Sequence, residues 1–173
     1  AVPALPVRTV DTALGALFGW AIPPMALTHD LHGMHGWEEH AAAVDRVYAS
    51  LPASDRERAT VLVRTYSQAS ALNVLREEAT PRAVSGSMTY FLWGPDGDRG
   101  GVLITYGLPQ VLIERHYRTC TERARIDAPL ARPRDTDLPV YVCREPLRTM
   151  AELWPELRRF GAVPRSARTS PRD

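Results

Sequence analysis

Short β-branched runs that alternate with helix-period segments constrain this chain more than any other feature. The runs RATVLVRTY at residues 58–66 and VLITY at residues 102–106 are rich in Val, Ile and Thr and read as buried strands. Between them lies residues 69–78, which reads as a helix entered through the turn Ser67-Gln68-Ala69-Ser70. Upstream, Trp37, Ala41, Val44, Tyr48 and Leu51 recur at helical spacing, with Glu38, Glu39, Asp45 and Arg46 on the opposite face. Two glutamates in that first turn suit the positive end of a helix dipole, and Leu51-Pro52 ends the helix.

The same reading places short strands at residues 81–85, 121–126 and 139–144. Helices are predicted at residues 10–18 and 109–117, and an amphipathic closing helix at residues 150–160 has Leu153, Trp154, Leu157 and Phe160 as its stripe. The expected architecture is therefore an α/β single-domain sandwich, a mostly parallel sheet of about five strands with helices on its faces. An apolar, proline-punctuated lead-in occupies residues 1–33, the α/β domain residues 34–160, and an Arg-, Ser- and Pro-rich tail residues 161–173.

Composition removes several function classes. At 173 residues and 45% hydrophobic content the chain is long enough to bury a core without metal or disulfides. A net charge of +1 argues against a nucleic-acid-coating protein. All 21 basic residues are arginine, so lysine Schiff-base and P-loop-lysine chemistry are absent. The longest apolar run, ALGALFGWAIPPMAL at residues 13–27, is shorter than the roughly 20 residues a bilayer crossing needs and is broken by two prolines. It has neither a positively charged start nor an A-x-A cleavage site. A start at Ala1 without methionine leads us to expect a fragment or a processed product.

Four of the five histidines, His29, His32, His35 and His40, fall within twelve residues. Imidazoles beside carboxylates suit a zinc-like ion, which makes His29, His32 and His35 the candidate ligands. Their spacing matches no recognised metal geometry, H-E-x-x-H is absent, and the expectation is a loop of solvated histidines with no metal and no cofactor. GPDGDRGG at residues 94–101 lacks both phosphate-loop patterns and precedes a strand, so it reads as a hairpin-like turn.

The better site lies where a strand hands over to a helix, because ligands collect at the carboxyl ends of strands in an open parallel sheet. Tyr66, Ser67, Gln68 and Ser70 occupy such an end, Ser85 and Ser87 the matching position after the next strand, and Trp93 is a further contact candidate. These groups form hydrogen bonds but include no nucleophile–base pair. A self-contained hydrolase using Ser67 or Ser87 is therefore disfavoured. Cys120 and Cys143 form no C-x-x-C, and the apolar surroundings of Cys143 lead us to expect two free thiols.

Several stretches in order resemble one family. They are GWEE at residues 36–39, VYASLP at 47–52, RATVLVRTYSQASAL at 58–72, YFLWGP at 90–95, LPVYVCR at 138–144 and LWPELRRF at 153–160. Together with ALPV at residues 4–7 they are similar to the soluble C-terminal domain of bacterial family 39 membrane glycosyltransferases, relatives of protein mannosyltransferases and aminoarabinose transferases. The resemblance implies a non-catalytic accessory domain on the extracytoplasmic face of the membrane. Its partner would be the membrane-spanning portion of a parent enzyme that uses a lipid-linked sugar donor, and its task acceptor binding or gating. Where that family reads Asn-Tyr-Gly-Glu-Ala-Gly-Ala, this chain has Thr65 through Ala71; where it reads Ser-Gly-His-Asn, this chain has Ser85, Gly86, Ser87 and Met88. Gln68 and Ser87 thus replace the family's ionisable pair, which implies binding of a glycan or lipid-phosphate-sugar without acid–base chemistry. The alternative from the residues alone is a free-standing small-molecule or metal-binding module built on the histidine cluster.

Overall fold

The computed structural model describes residues 6–19, 24–95 and 101–159. Helices α1 (Val7–Phe18) and α2 (Pro24–His32) lead into α3 (Trp37–Ala49) and the short α4 (Ala53–Glu57). Strand β1 (Ala59–Val63), helix α5 (Tyr66–Leu75) and strand β2 (Ala83–Val84) follow, then a 3-10 helix at Met88–Trp93. The remainder is β3 (Val102–Tyr106), α6 (Gln110–Glu114), β4 (Tyr117–Ile126), β5 (Leu138–Pro146) and α7 (Met150–Leu153).

The strands form one five-stranded sheet in the order β2-β1-β3-β5-β4. β1 pairs in parallel with both β2 and β3, while β5 runs antiparallel to β3 and β4 antiparallel to β5. The α/β sheet of five strands is the one expected, with its parallel part at β2, β1 and β3. All five residues of β3 are buried, as a central strand covered on both faces requires. Val61, Val63, Ile104, Tyr106, Val140 and Val142 pack against α3 and α5. Leu62, Leu103 and Cys143 turn the other way, onto Ile113 of α6, Met150 and Leu153 of α7, and Trp154. The alternation of side chains along each strand thus feeds two separate apolar layers.

Local chemistry explains where the elements begin and end. Helix α5 starts at Tyr66, three residues before the expected start, because Thr65 and Gln68 form a capping box. The Thr65 hydroxyl accepts from the Gln68 amide at 3.2 Å, and the Gln68 Oε1 accepts from the Thr65 amide at 3.0 Å. The closing helix stops at Leu153 and continues as a 3-10 turn at Trp154–Leu157, since Pro155 has no N–H to extend the α-helical ladder. Phe160, the tail of residues 161–173 and residues 1–5 lie outside the described residues, as do residues 96–100 of the glycine-bearing turn.

Three expectations need correction. Cys120 and Cys143 are disulfide-bonded, not free. They face each other across the antiparallel β4–β5 ladder with Cα atoms 4.1 Å apart, a proximity that only strand register creates. The lead-in contains two helices where one was expected, and α2 carries His29 and His32. The histidine segment is not a solvated loop either. His32 and His40 are both buried, at 4% and 1% exposure. His32 donates from Nδ1 to the Leu130 carbonyl oxygen at 2.7 Å, and its Nε2 meets the Asp11 carboxylate at 2.8 Å. It therefore fastens both lead-in helices to the body of the domain. Thr28 donates to the other Asp11 oxygen at 2.5 Å, and these bonds hold the Asp11 carboxyl below its usual range.

Candidate functional site

The two central parallel strands send their chains to opposite faces. After β1 the chain enters α5, which packs on the α3 face, whereas after β3 it enters α6 on the other face. Adjacent parallel strands that diverge in this way leave a crevice at their carboxyl ends, the usual ligand position in open α/β sheets. A cleft of about 420 Å³ occupies that place. Its floor is Gln68 and Gly107, and its sides carry Arg64, Tyr66, Arg132 and Arg134.

Gly107 is needed here. It has φ 74°, and a Cβ built on it would lie 3.0 Å from the Gln68 Nε2. A larger residue would strain the turn and crowd the floor of the cleft. Gln68 is only 4% exposed. Its Oε1 is committed to the Thr65 amide, which fixes the Nε2 as the group presented to the cleft.

The sequence candidates divide. Tyr66, Ser67, Gln68 and Ser87 line this cleft together. Gln68 and Ser87, 19 residues apart in sequence, are therefore brought to one place by folding. Ser70 instead hydrogen-bonds the Tyr90 hydroxyl at 2.9 Å. Ser85 is fully buried, and its hydroxyl accepts from the Ser87 amide at 3.2 Å. Trp93 packs against Tyr90 with the rings tilted by 52° and lines a separate pocket of about 220 Å³ with Asn73 and Arg82.

Sequence reasoning missed the far wall. Arg132, Arg134 and Asp135 arrive on the connection between β4 and β5, 64 to 67 residues downstream of Gln68. Arg132 donates to the Asp135 carboxylate at 2.6 Å, and Arg134 stands 3.8 Å from the same oxygen. Arg64 has no ion-pair partner among the described residues. No local pattern marks this loop; an Arg-Pro-Arg-Asp turn looks like any solvated surface segment.

His40 and Tyr106 lie just beneath that wall. His40 donates from Nε2 to the Asp135 carbonyl oxygen at 2.7 Å, and its Nδ1 pairs with the Tyr106 hydroxyl at 3.2 Å. Burial is the main reason the His40 pKa falls below its ordinary value, so the ring is neutral near pH 7. Burial likewise pushes the Tyr106 phenol far above its usual range. Neither is placed to take a proton from Ser67 or Ser87, and among the described residues no hydrogen bond joins either hydroxyl to an imidazole or a carboxylate.

The histidine cluster does not assemble. Among the described residues no group of three His, Cys, Asp or Glu side chains is arranged to hold a metal ion. His29 is exposed beside Asp30, and both His32 ring nitrogens are already engaged. Among the described residues the arrangement is a polar cleft with cationic walls and an aromatic rim, without a hydrogen-bonded nucleophile–base pair. Comparison of the chain with protein-family models, with curated proteins and with solved structures gives no match.

Proposed function

We propose that this chain is a non-catalytic ligand-binding domain serving a membrane glycosyltransferase that draws on a lipid-linked sugar donor. The observation that carries this reading is the cleft at the β1 and β3 carboxyl ends. It joins Tyr66, Ser67, Gln68 and Ser87, all able to hydrogen-bond a sugar, with no free carboxylate or imidazole to move a proton. The ordered resemblance from residue 4 to residue 160 supports the glycosyltransferase context. The Cys120–Cys143 disulfide supports display on the extracytoplasmic side, where such bonds persist. Among the described residues no helix is long and apolar enough to cross a membrane, so on this reading the membrane-spanning work belongs to the partner portion of the parent enzyme.

The test has two arms. Ligand-observed NMR with glycans should detect binding that is lost in Gln68→Ala and in Tyr66→Ala. A radiolabelled lipid-phosphate-sugar assay on the purified chain should show no transfer. Turnover would mean that an enzyme has been read as an accessory domain.

A further inference from the structure

Resting on that reading of the cleft, we infer that its ligand is a phosphorylated carbohydrate, with the phosphate seated between the start of helix α5 and Arg64, Arg132 and Arg134. Three guanidinium groups line the cleft against one carboxylate, Asp135, which is shared between Arg132 and Arg134. The cleft thus carries a surplus of positive charge although the chain as a whole is close to neutral at +1. Arg64 has no carboxylate partner among the described residues, and a planar guanidinium is the side chain best suited to bind two phosphate oxygens at once.

The ten-residue helix α5 points its first turn into the same space. The amides of Tyr66 and Ser67 belong to that turn and have no carbonyl within the helix to bond, and the helix dipole adds partial positive charge there. A helix start alone would say little. The independent observation is Gln68, a residue only 4% exposed, whose Oε1 is locked by Thr65 and whose Nε2 has no hydrogen-bond partner among the described residues. That donor opens onto the cleft and is available to an acceptor seated there. Apart from Asp135 and the hydroxyls, the side chains that line the cleft bring donors in Arg64, Arg132, Arg134 and the Gln68 Nε2. The half-exposed Tyr66 ring at the rim gives the sugar a face to lie against.

The full chain, labelled with nitrogen-15, should be titrated by NMR and calorimetry with inorganic phosphate, glucose 1-phosphate, methyl glucoside and a short-chain prenyl phosphate in detergent. Glucose 1-phosphate should bind at least about tenfold more tightly than methyl glucoside, a gap that shrinks at high salt. Amide shifts should centre on residues 64–68 and 107. Gln68→Glu keeps an acceptor for the Thr65 amide but turns the cleft-facing donor into a carboxylate; it should remove the preference for glucose 1-phosphate over methyl glucoside. Arg134→Ala, at a side chain 67% exposed, should weaken glucose 1-phosphate several-fold and gives the answer if Gln68→Glu unfolds. Tighter binding of the prenyl phosphate than of glucose 1-phosphate would assign the phosphate to a lipid carrier, and the reverse order to a soluble sugar phosphate. Equal binding of glucose 1-phosphate and methyl glucoside would overturn the inference while leaving the cleft a sugar site. Binding of none of the four would overturn both.

Discussion

The imidazole of His40 donates to the carbonyl oxygen of Asp135 across 95 residues of sequence, and through that one bond helix α3 holds the arginine-bearing wall of the cleft. The same ring reaches Tyr106 at the end of β3, so helix, central strand and loop meet at one buried imidazole.

Replacing it should be costly and pH-revealing. His40→Ala strands the Asp135 carbonyl and the Tyr106 hydroxyl and opens a void, a loss of about 2–4 kcal/mol measurable by urea unfolding. Because the folded pKa lies below the ordinary 6.5, the unfolded chain takes up the proton more readily. Stability should therefore fall as pH drops below about 6.5, until the folded ring also titrates. Asp11, Glu152 and Glu156, whose pKa values are also lowered, act in a separate window below their ordinary carboxylate values. His40→Gln should flatten the slope between pH 6.5 and 5 and leave the more acidic limb intact. An unchanged slope would mean that His40 is not the group responsible.

The disulfide makes a simple analytical prediction. Thiol titration under denaturing conditions without reductant should return no free thiol. The bridge closes a loop with a sequence separation of 23, so reduction, or Cys120→Ala with Cys143→Ala, should cost about 3–4 kcal/mol. Two titratable thiols in the freshly purified protein would contradict the pairing.

Gly86 is a packing requirement. A Cβ there would meet the Leu157 carbonyl oxygen at 2.1 Å, where the closing segment lies against residues 86–88. The Arg159 amide donates to the Gly86 carbonyl, and the Met88 amide to the Arg159 carbonyl, at 2.8 and 2.9 Å. Gly86→Ala must push the closing segment away and should lower stability by more than about 3 kcal/mol. A melting temperature within a degree of wild type would show that the segment is not seated there.

Thr65 tests the start of α5. Thr65→Ala removes the acceptor for the Gln68 amide and half of the capping box, at about 1 kcal/mol. Thr65→Ser should recover most of the loss. Equal destabilisation by Ala and Ser would point to the methyl group and not to the cap.

Much of this molecule was legible one segment at a time. The stripe Ala41, Val44, Val47 of α3 and the apolar runs of β1 and β3 announce themselves because helical and strand periodicities are local, and burial of one face follows from them. The cleft's near side was legible for the same reason: Tyr66 to Gln68 stand at a strand end, where backbone amides are exposed by the geometry of any strand–helix turn. Other features belong to the tertiary structure alone. Cys120 meets Cys143 only through the register of β4 on β5, and a shift of one residue would point the two sulfurs to opposite faces. His32 and His40 look like solvated residues until Asp11, Leu130, Tyr106 and Asp135 supply their partners. Arg132 and Arg134 face Gln68 because α3 and β3 together anchor their loop over the sheet's end, a long-range closure that no window of neighbouring residues encodes.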